Sequence, residues 1–338
     1  MADIADVARA AGVSTATVSR ALSGRGIVAP RTKELVQRVA DELGYVVSAS
    51  ASSLSSGRMR NVGIVTPFLS RWFFSEVIEG AQQVLTAHGY DTTLYNLAGE
   101  ANQRKIIFDE FLLRGRVDAV IAIELALTPE EIRKIHSVDK PLIGVGGEIP
   151  GVRTISINET EVARIATQHL LDLGHRSIAS LGGVEQFETD FHVASTRHLA
   201  FLEALAGAGI EPNPAWDLTA DFTIPGGYAE TAAMLAASGN RPTGIVASSD
   251  EMAIGAILAI KDAGLRVPDD ISVIGIDGHD LAEFFNLTTV DQFVRHQGEL
   301  AATILLDEIM PHRTSPAASN TDMPVKLVTR GSTARPRA

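Results

Sequence analysis

The chain has 338 residues, with 29 lysines and arginines against 41 aspartates and glutamates, for a formal net charge of −12. A composition of 45% hydrophobic and 21% charged residues excludes global disorder, and the length suits two or three domains. The absence of cysteine rules out disulfides, thiolate metal sites and a cysteine nucleophile. No apolar run approaches the ~20 residues that a membrane span needs. The N-terminus, MADIADVARA, has no basic stretch followed by an apolar core, so no signal peptide is expected and a cytoplasmic protein is the natural reading. Taken whole, the negative charge argues against nucleic acid as a partner. Divided at residue 60, it sums to +3 before and −15 after, an asymmetry of the kind that an appended nucleic-acid module produces.

Three short helices are predicted before residue 46. Asp3 is a good N-cap, and Ile4, Val7, Ala8 and Ala11 follow the spacing of one buried helical face. Gly12 supplies the positive φ at which that helix stops. Ser14 caps a second helix whose inward stripe is Val18 and Leu22, leaving Thr15, Ala16, Ser19 and Arg20 facing out. A third helix is predicted from about Arg31 to Leu43, with Leu35, Val36, Val39 and Leu43 inward, closed by Gly44. Two helices joined by a tight glycine turn, then a third, make a helix-turn-helix arrangement. The small, polar outer face of the second helix can enter a major groove, where Arg20 pairs with guanine and Thr15 or Thr17 reaches bases or phosphate. The same pattern fits a plain three-helix bundle. The segment SASASSLSS, residues 48–56, reads either as a flexible linker or as a helix that folds on a partner and offers Leu54 as a wedge to a minor groove.

IADVARAAGVSTATVSRALSG, followed by TKELVQRVADELGY, resembles the DNA-binding headpiece of the LacI/GalR repressor family, and the run through Leu54 and SSGR is similar to that family's hinge helix. The resemblance implies that Ser14, Thr15, Ala16, Thr17 and Arg20 meet DNA, with Thr15, Ala16 and Arg20 facing bases. It also implies that Ser48 and Leu54 act from the hinge, Leu54 intercalating at the centre of a palindromic operator. The chain departs from the family at Asp3, where Thr is usual, at Ser23, where Asn is usual, and in a hinge whose Ser48, Ser52 and Ser55 replace Asn or basic residues. Such a hinge neutralises fewer phosphates, so a shallow salt dependence is expected.

From Asn61 onward, short apolar runs alternate with helical stretches. The runs are NVGIVTP, DAVIAI, PLIGV, SIASLGG, TGIVASS and ISVIGID. The helices read from FFSEVIEGAQQVLTAHGY, ANQRKIIFDEFLLRG, ETEVARIATQHLLDLGH, TRHLAFLEALAGAGI, GGYAETAAMLAAS and DEMAIGAILAIKDAGL. This alternation specifies α/β architecture, parallel sheets flanked by helices, and about 280 residues suffice for two subdomains. Ligands in such folds bind beyond the carboxyl ends of strands. Signature-like stretches, VASSDEMAIGAILAIKDAGLRVPDDISVIGIDG and MPVKLVTRGST among them, extend the resemblance over essentially the whole chain. It implies a headpiece at 1–46, a hinge at 47–57 and a two-lobed periplasmic-binding-protein-like core at 58–338. It also implies three crossovers, a small-molecule effector between the lobes and a homodimer. The chain stops soon after RGST without a heptad-rich tail, which favours the dimer over a tetramer.

Arg197, in STRHLAF, matches the arginine that contacts effector in many members of the family, and its five fixed donors suit vicinal hydroxyls or a carboxylate. Asp277 follows a buried strand, where a carboxylate can accept from a hydroxyl. Ser249 and Asp250 end the VASSD strand, although Asp250 also suits a helix cap. Trp72, Phe73 and Phe222 are candidate apolar walls, since sugar faces and purines both stack on aromatics. Glu148 and Glu124 close strands of the first lobe, where a solvated loop role is the simpler reading. These anchors point to a sugar or sugar derivative as effector, with a purine stacked on Phe73 and Phe222 as the alternative. No cofactor is expected. GVSTA lacks the second glycine and preceding strand of a nucleophile turn, no third glycine completes a dinucleotide loop after Gly147, and the nine histidines include no HExxH pair. A transcriptional regulator, and not an enzyme, is expected. A solute-binding protein would share the core but not residues 1–57.

Overall fold

The computed structural model describes residues 2–23, 27–45, 58–98, 101–184, 192–237, 239–309 and 320–337. The chain divides into two units, Met1–Arg60 and Asn61–Ala338. In the first, α1 (Ile4–Ala11), α2 (Thr15–Ser23) and α3 (Pro30–Glu42) enclose a core of Val7, Ala8, Ala11, Val18, Ala21, Val36, Val39 and Ala40. Asp3 caps α1, its carboxylate accepting from the N–H groups of Ala5 and Asp6 while Asp6 reciprocates, and Gly12 ends the helix at φ 67°. Leu35 and Leu43, expected inward, are exposed. The buried face of α3 is Val36, Val39 and Ala40; Leu35 lies ~100° around from Val36, and Leu43 sits in the C-cap, past the last turn.

In the second unit two six-stranded sheets form, one per lobe. The N-terminal lobe carries, in spatial order, β11 (Thr321–Asp322), β5 (Arg153–Ser156), β4 (Leu142–Val145), β3 (Ala119–Ile123), β1 (Asn61–Thr66) and β2 (Asp91–Asn96). The C-terminal lobe carries β12 (Lys326–Val328), β10 (Thr288–Asp291), β9 (Ser272–Asp277), β8 (Gly244–Ala247), β6 (Ile178–Gly183) and β7 (Asp217–Ala220). All neighbouring strands are parallel except the β10–β12 pair. The six strands expected from apolar runs are all present. Those not expected are short or polar. β2 and β7 are edge strands, β7 with one face exposed and β2 mostly half-buried, and β10 hides its burial behind Thr288 and Thr289, whose hydroxyls bond Arg330 and Asp250.

The helices are α4 (Trp72–Ala87), α5 (Ala101–Ile106), α6 (Pro129–Ser137), α7 (Glu159–Asp172), α8 (Val193–Gly207), α9 (Ile224–Ala236), α10 (Asp250–Asp262) and α11 (Val294–Ile309). The stretch 101–115, expected as one helix, widens into a π-turn at Ile107–Phe111 and tightens over Leu112–Arg114. The wide turn lets consecutive Ile107 and Phe108 both enter the core. The chain crosses between lobes three times: from β5 to α7, from β10 to α11, and from β11 to β12. Helix α11 therefore returns to the N-terminal lobe and packs on α4. The approach is close, since a Cβ on Gly80 would meet the Arg295 carbonyl and one on Gly298 the Val77 backbone. Two apolar clusters per lobe, one on each face of its sheet, form the core.

Candidate functional site

Parallel strands end on the same side of a sheet, and in both lobes those carboxyl ends feed a cleft of about 880 Å³ counting its open mouth. Phe68 follows β1, Glu124 follows β3, Val184 follows β6, Phe222 follows β7, Ser249 follows β8, Asp277 ends β9 and Gln292 follows β10. Further wall comes from the starts of helices: Phe73 and Phe74 of α4, Val193 and Arg197 in the first two turns of α8, and Glu251 of α10.

The polar groups are held by partners within the protein. Arg197, 5% exposed, donates from Nε to Glu159 at 2.6 Å and from Nη1 to the Ser248 carbonyl at 2.5 Å. Burial opposes its charge, but the carboxylates of Glu159 and Asp277 outweigh that and keep the guanidinium protonated. Asp277 accepts from Gln292 at 2.6 Å, with a longer contact of 3.4 Å to the Asp250 N–H. Burial lifts its carboxyl well above the usual carboxylate range; Arg197 opposes the rise and Asp250 adds to it. Ser249 caps α10 by accepting from the Met252 N–H at 3.2 Å. On the opposite wall Phe68, Phe73 and Phe74 meet edge to face, Phe74 lying 5.9 Å from Phe68 and 5.4 Å from Phe73, and the Arg71 guanidinium lies 3.9 Å from the Phe68 ring centre.

Of the residues singled out from sequence, Phe73, Glu124, Arg197, Phe222, Ser249 and Asp277 line this cleft, and three do not. Asp250 is fully buried behind it. One carboxylate oxygen accepts from Gly278 N–H, His279 N–H and the Thr289 hydroxyl at 2.8–3.0 Å. Burial pushes its carboxyl up to about 6, against those three donors. Its role is to hold the loop after β9. Trp72 turns away from the cleft and stacks on His279, centroids 4.5 Å apart. Glu148 is exposed, three residues beyond the end of β4. Glu124, read as a solvated loop residue, is half-buried on the cleft wall at φ 46°. Phe68, Arg71, Glu251 and Gln292 were not singled out. Position one or two residues past a strand end is the signal that would have found Phe68 and Gln292.

In the first unit, α2 presents Thr15, Ala16 and Arg20 exposed, with Thr17 half-buried. Ser14 accepts from the Thr17 N–H at 3.1 Å and so fixes the start of the helix, while Arg20 Nε donates to the Ala16 carbonyl at 3.1 Å. Ser48 and Leu54 lie outside the described residues. Among the described residues no helix is long and apolar enough to cross a membrane, and no cluster of three His, Asp or Glu side chains could hold a metal.

Residues 3–48 match the bacterial regulatory proteins of the lacI family, and residues 167–333 match a periplasmic binding protein-like domain. The chain is 38% identical over 319 residues to the HTH-type transcriptional repressor PurR of Vibrio campbellii, covering 91% of this chain and 92% of that one. It is also similar to the lac repressor dimer bound to operator and the anti-inducer ONPF, with TM-score 0.84 and 26% identity over 98% of this chain and 99% of that one. The regulator CelR in complex with cellobiose is a further match, with TM-score 0.69 and 27% identity over 98% and 100%. With a helix-turn-helix unit ahead of a two-lobed core, and with a relative 38% identical over 91% of its length, this chain belongs to the lacI family of DNA-binding transcriptional regulators.

Proposed function

We propose that the protein is a homodimeric repressor that reads a near-palindromic operator through α2 and answers to a neutral, ring-shaped effector in the cleft, a sugar or sugar derivative. The observation that carries the effector reading is the pairing of one wall of fixed polar groups, Arg197, Asp277, Gln292 and Ser249, with one wall of phenylalanines. Hydrogen-bonding hydroxyls suit the first wall and the flat face of a ring suits the second. Among the described residues of the lining, the acidic side chains are Glu124, Glu251 and Asp277 and the basic ones Arg71 and Arg197, and Arg197 is already paired with Glu159. A purine is the second reading, favoured by Phe73 and Phe222 in the lining. A thermal-shift panel of monosaccharides, disaccharides and nucleobases separates the two, because a ligand of the native state raises its melting temperature. Sugar-dependent shifts are expected, and shifts with nucleobases alone would replace the first reading by the second.

On the DNA side, Thr15, Ala16 and Arg20 are the base-facing set. Arg20→Ala is expected to relax preference at one symmetric base pair, losing ~1–3 kcal/mol there. Selection from a random duplex pool measures this, and an unchanged consensus would remove Arg20 from the reading face. Support for the dimer comes from Phe284, 83% exposed, and Leu281 on the turn after β9, apolar surface of a kind that association covers. Phe284→Glu is expected to give a monomer by sedimentation.

A further inference from the structure

We propose that Arg176, Arg241 and Arg335, gathered at the amino-terminal edge of the C-terminal lobe's sheet, bind a short phosphate chain, inorganic or carried by a nucleotide. The cleft lies at the carboxyl ends of the same strands, so this site is at the far end of the sheet, and none of the three arginines lines the cleft. They come from three separate segments: Arg176 two residues before β6, Arg241 three before β8, and Arg335 in the C-terminal segment. One buried histidine ties these segments together. His175, 1% exposed, precedes Arg176. Its Nδ1 lies 2.9 Å from the hydroxyl of Thr243, and its Nε2 donates to the carbonyl of Ala334, next to Arg335, at 2.8 Å. The Thr243 N–H donates to the Ser177 carbonyl at 2.7 Å, and the Ser272 hydroxyl of β9 donates to and accepts from the Ala334 backbone at 3.2 and 3.1 Å. The backbones that carry the arginines are thus fixed across the starts of three neighbouring strands, a width of about 10 Å.

The charge of the three is not neutralised within the protein. The unit that carries them sums to −15, and its Arg104, Arg153, Arg197 and Arg295 each pair with a carboxylate. Among the described residues, Arg176, Arg241 and Arg335 are exposed and make no ion pair. The acids of the adjoining segments are engaged elsewhere, Asp172 by Gln168, and Asp269 and Asp270 by Arg266 and Arg337. An arginine fork suits phosphate or carboxylate. Carboxylates along one side of an extended peptide recur only every ~7 Å, whereas adjacent phosphates concentrate their charge within the width available. A duplex-binding surface makes ~6–10 phosphate contacts, more than three arginines supply. Trp216 adds a flat face beside the patch: half-buried, it donates from its indole Nε1 to the carbonyl of Asn240, next to Arg241, at 3.3 Å, and bases stack on such rings.

Isothermal titration calorimetry of the full-length protein at fixed ionic strength tests the site, with inorganic pyrophosphate, inorganic triphosphate and ATP as probes. The wild type is expected to bind triphosphate saturably, and R176A/R241A/R335A to bind it about tenfold or more weakly. R116A/R133A, which removes exposed arginines elsewhere in the core, is expected to match the wild type. The chain has two tryptophans, Trp72 and Trp216, so W72F leaves Trp216 as the sole emitter. ATP binding tighter than triphosphate binding, with a change in Trp216 emission in W72F, assigns the phosphate chain to a nucleotide; equal affinities assign it to the inorganic form. Absence of saturable binding to the wild type, or equal binding by the wild type and the triple variant, overturns the proposal. A triple variant that loses affinity only for a random duplex gives the patch to DNA and overturns it as well. Far-UV circular dichroism checks that each variant folds. The phosphate titrations use neither operator nor cleft effector, so their outcome is independent of the proposed function.

Discussion

The C-terminal lobe faces the cleft with Arg197, Ser249, Asp277 and Gln292, whereas the N-terminal lobe faces it with Phe68, Phe73 and Phe74 beside Arg71 and Glu124. Each polar group of the first wall has a protein partner that fixes its direction: Glu159 and Ser248 for Arg197, Gln292 for Asp277, Met252 for Ser249. The second wall is held by ring packing, which fills space without dictating an angle. A pre-built polar wall orients a ligand, and an apolar wall closes over whatever has been oriented. Substitutions in the two walls should therefore fail differently.

The largest effect is expected from Arg197→Ala. Removing one partner of a buried ion pair costs about 3–5 kcal/mol, which lowers the melting temperature by roughly 10 °C for a core of this size. The variant should also lose every ligand-induced shift, and a retained shift would take Arg197 out of the site. Gly183→Ala comes next. A Cβ there would coincide with the Phe222 ring, displacing that ring with no change of its own chemistry. Ligand affinity by calorimetry is expected to fall more than tenfold while circular dichroism is unchanged. Phe73→Ala, on the apolar wall, should weaken all ligands by about tenfold, on the order of the 1.5–3 kcal/mol that burial of such a ring contributes, and leave their rank order intact. A changed rank order would mean that this wall also selects.

Asp250→Asn gives the smallest effect and a pH-dependent one. The Asp250 carboxyl is raised to about 6 in the fold, so its contribution to stability is full below the unfolded value near 4 and is lost as pH rises through 6. Relative to the wild type, the Asn variant should lack this decline between pH 4 and 7. Parallel melting profiles would show that Asp250 ionises as freely in the fold as in the unfolded chain.

How far the sequence exposes this site depends on the neighbourhood of each residue. Asp277 and Ser249 stand at the ends of the apolar runs ISVIGID and TGIVASS, so strand burial marks them. Gln292 follows TTVD, a strand of four residues in which two of the three buried positions are threonines, and no apolar run announces it. Adjacent residues are harder still to assign. Ser249 and Asp250 both follow β8, yet one lines the cleft while the other anchors the Gly278–His279 loop from behind. Trp72 and Phe73 share the first turn of α4 about 100° apart, and only three-dimensional packing decides which lines the cleft and which meets His279. Glu124 and Glu148 both trail strands of the first lobe, but Glu124 follows β3 directly and Glu148 lies two residues further out. The alternation was legible where parallel strands covered on both faces read as continuous apolar runs, and not in the short or polar strands β2, β5, β7, β10, β11 and β12.

The most direct test of the coupling between cleft and headpiece is the affinity of the full-length protein for its selected duplex, with and without the stabilising ligand. Fluorescence anisotropy on the wild type and on Arg197→Ala supplies the four dissociation constants needed. The expected result is a ligand-dependent change of ~5-fold or more in the wild type, as a coupling of 1–3 kcal/mol requires, and none in the variant. Equal wild-type constants with and without a ligand that demonstrably binds would contradict it.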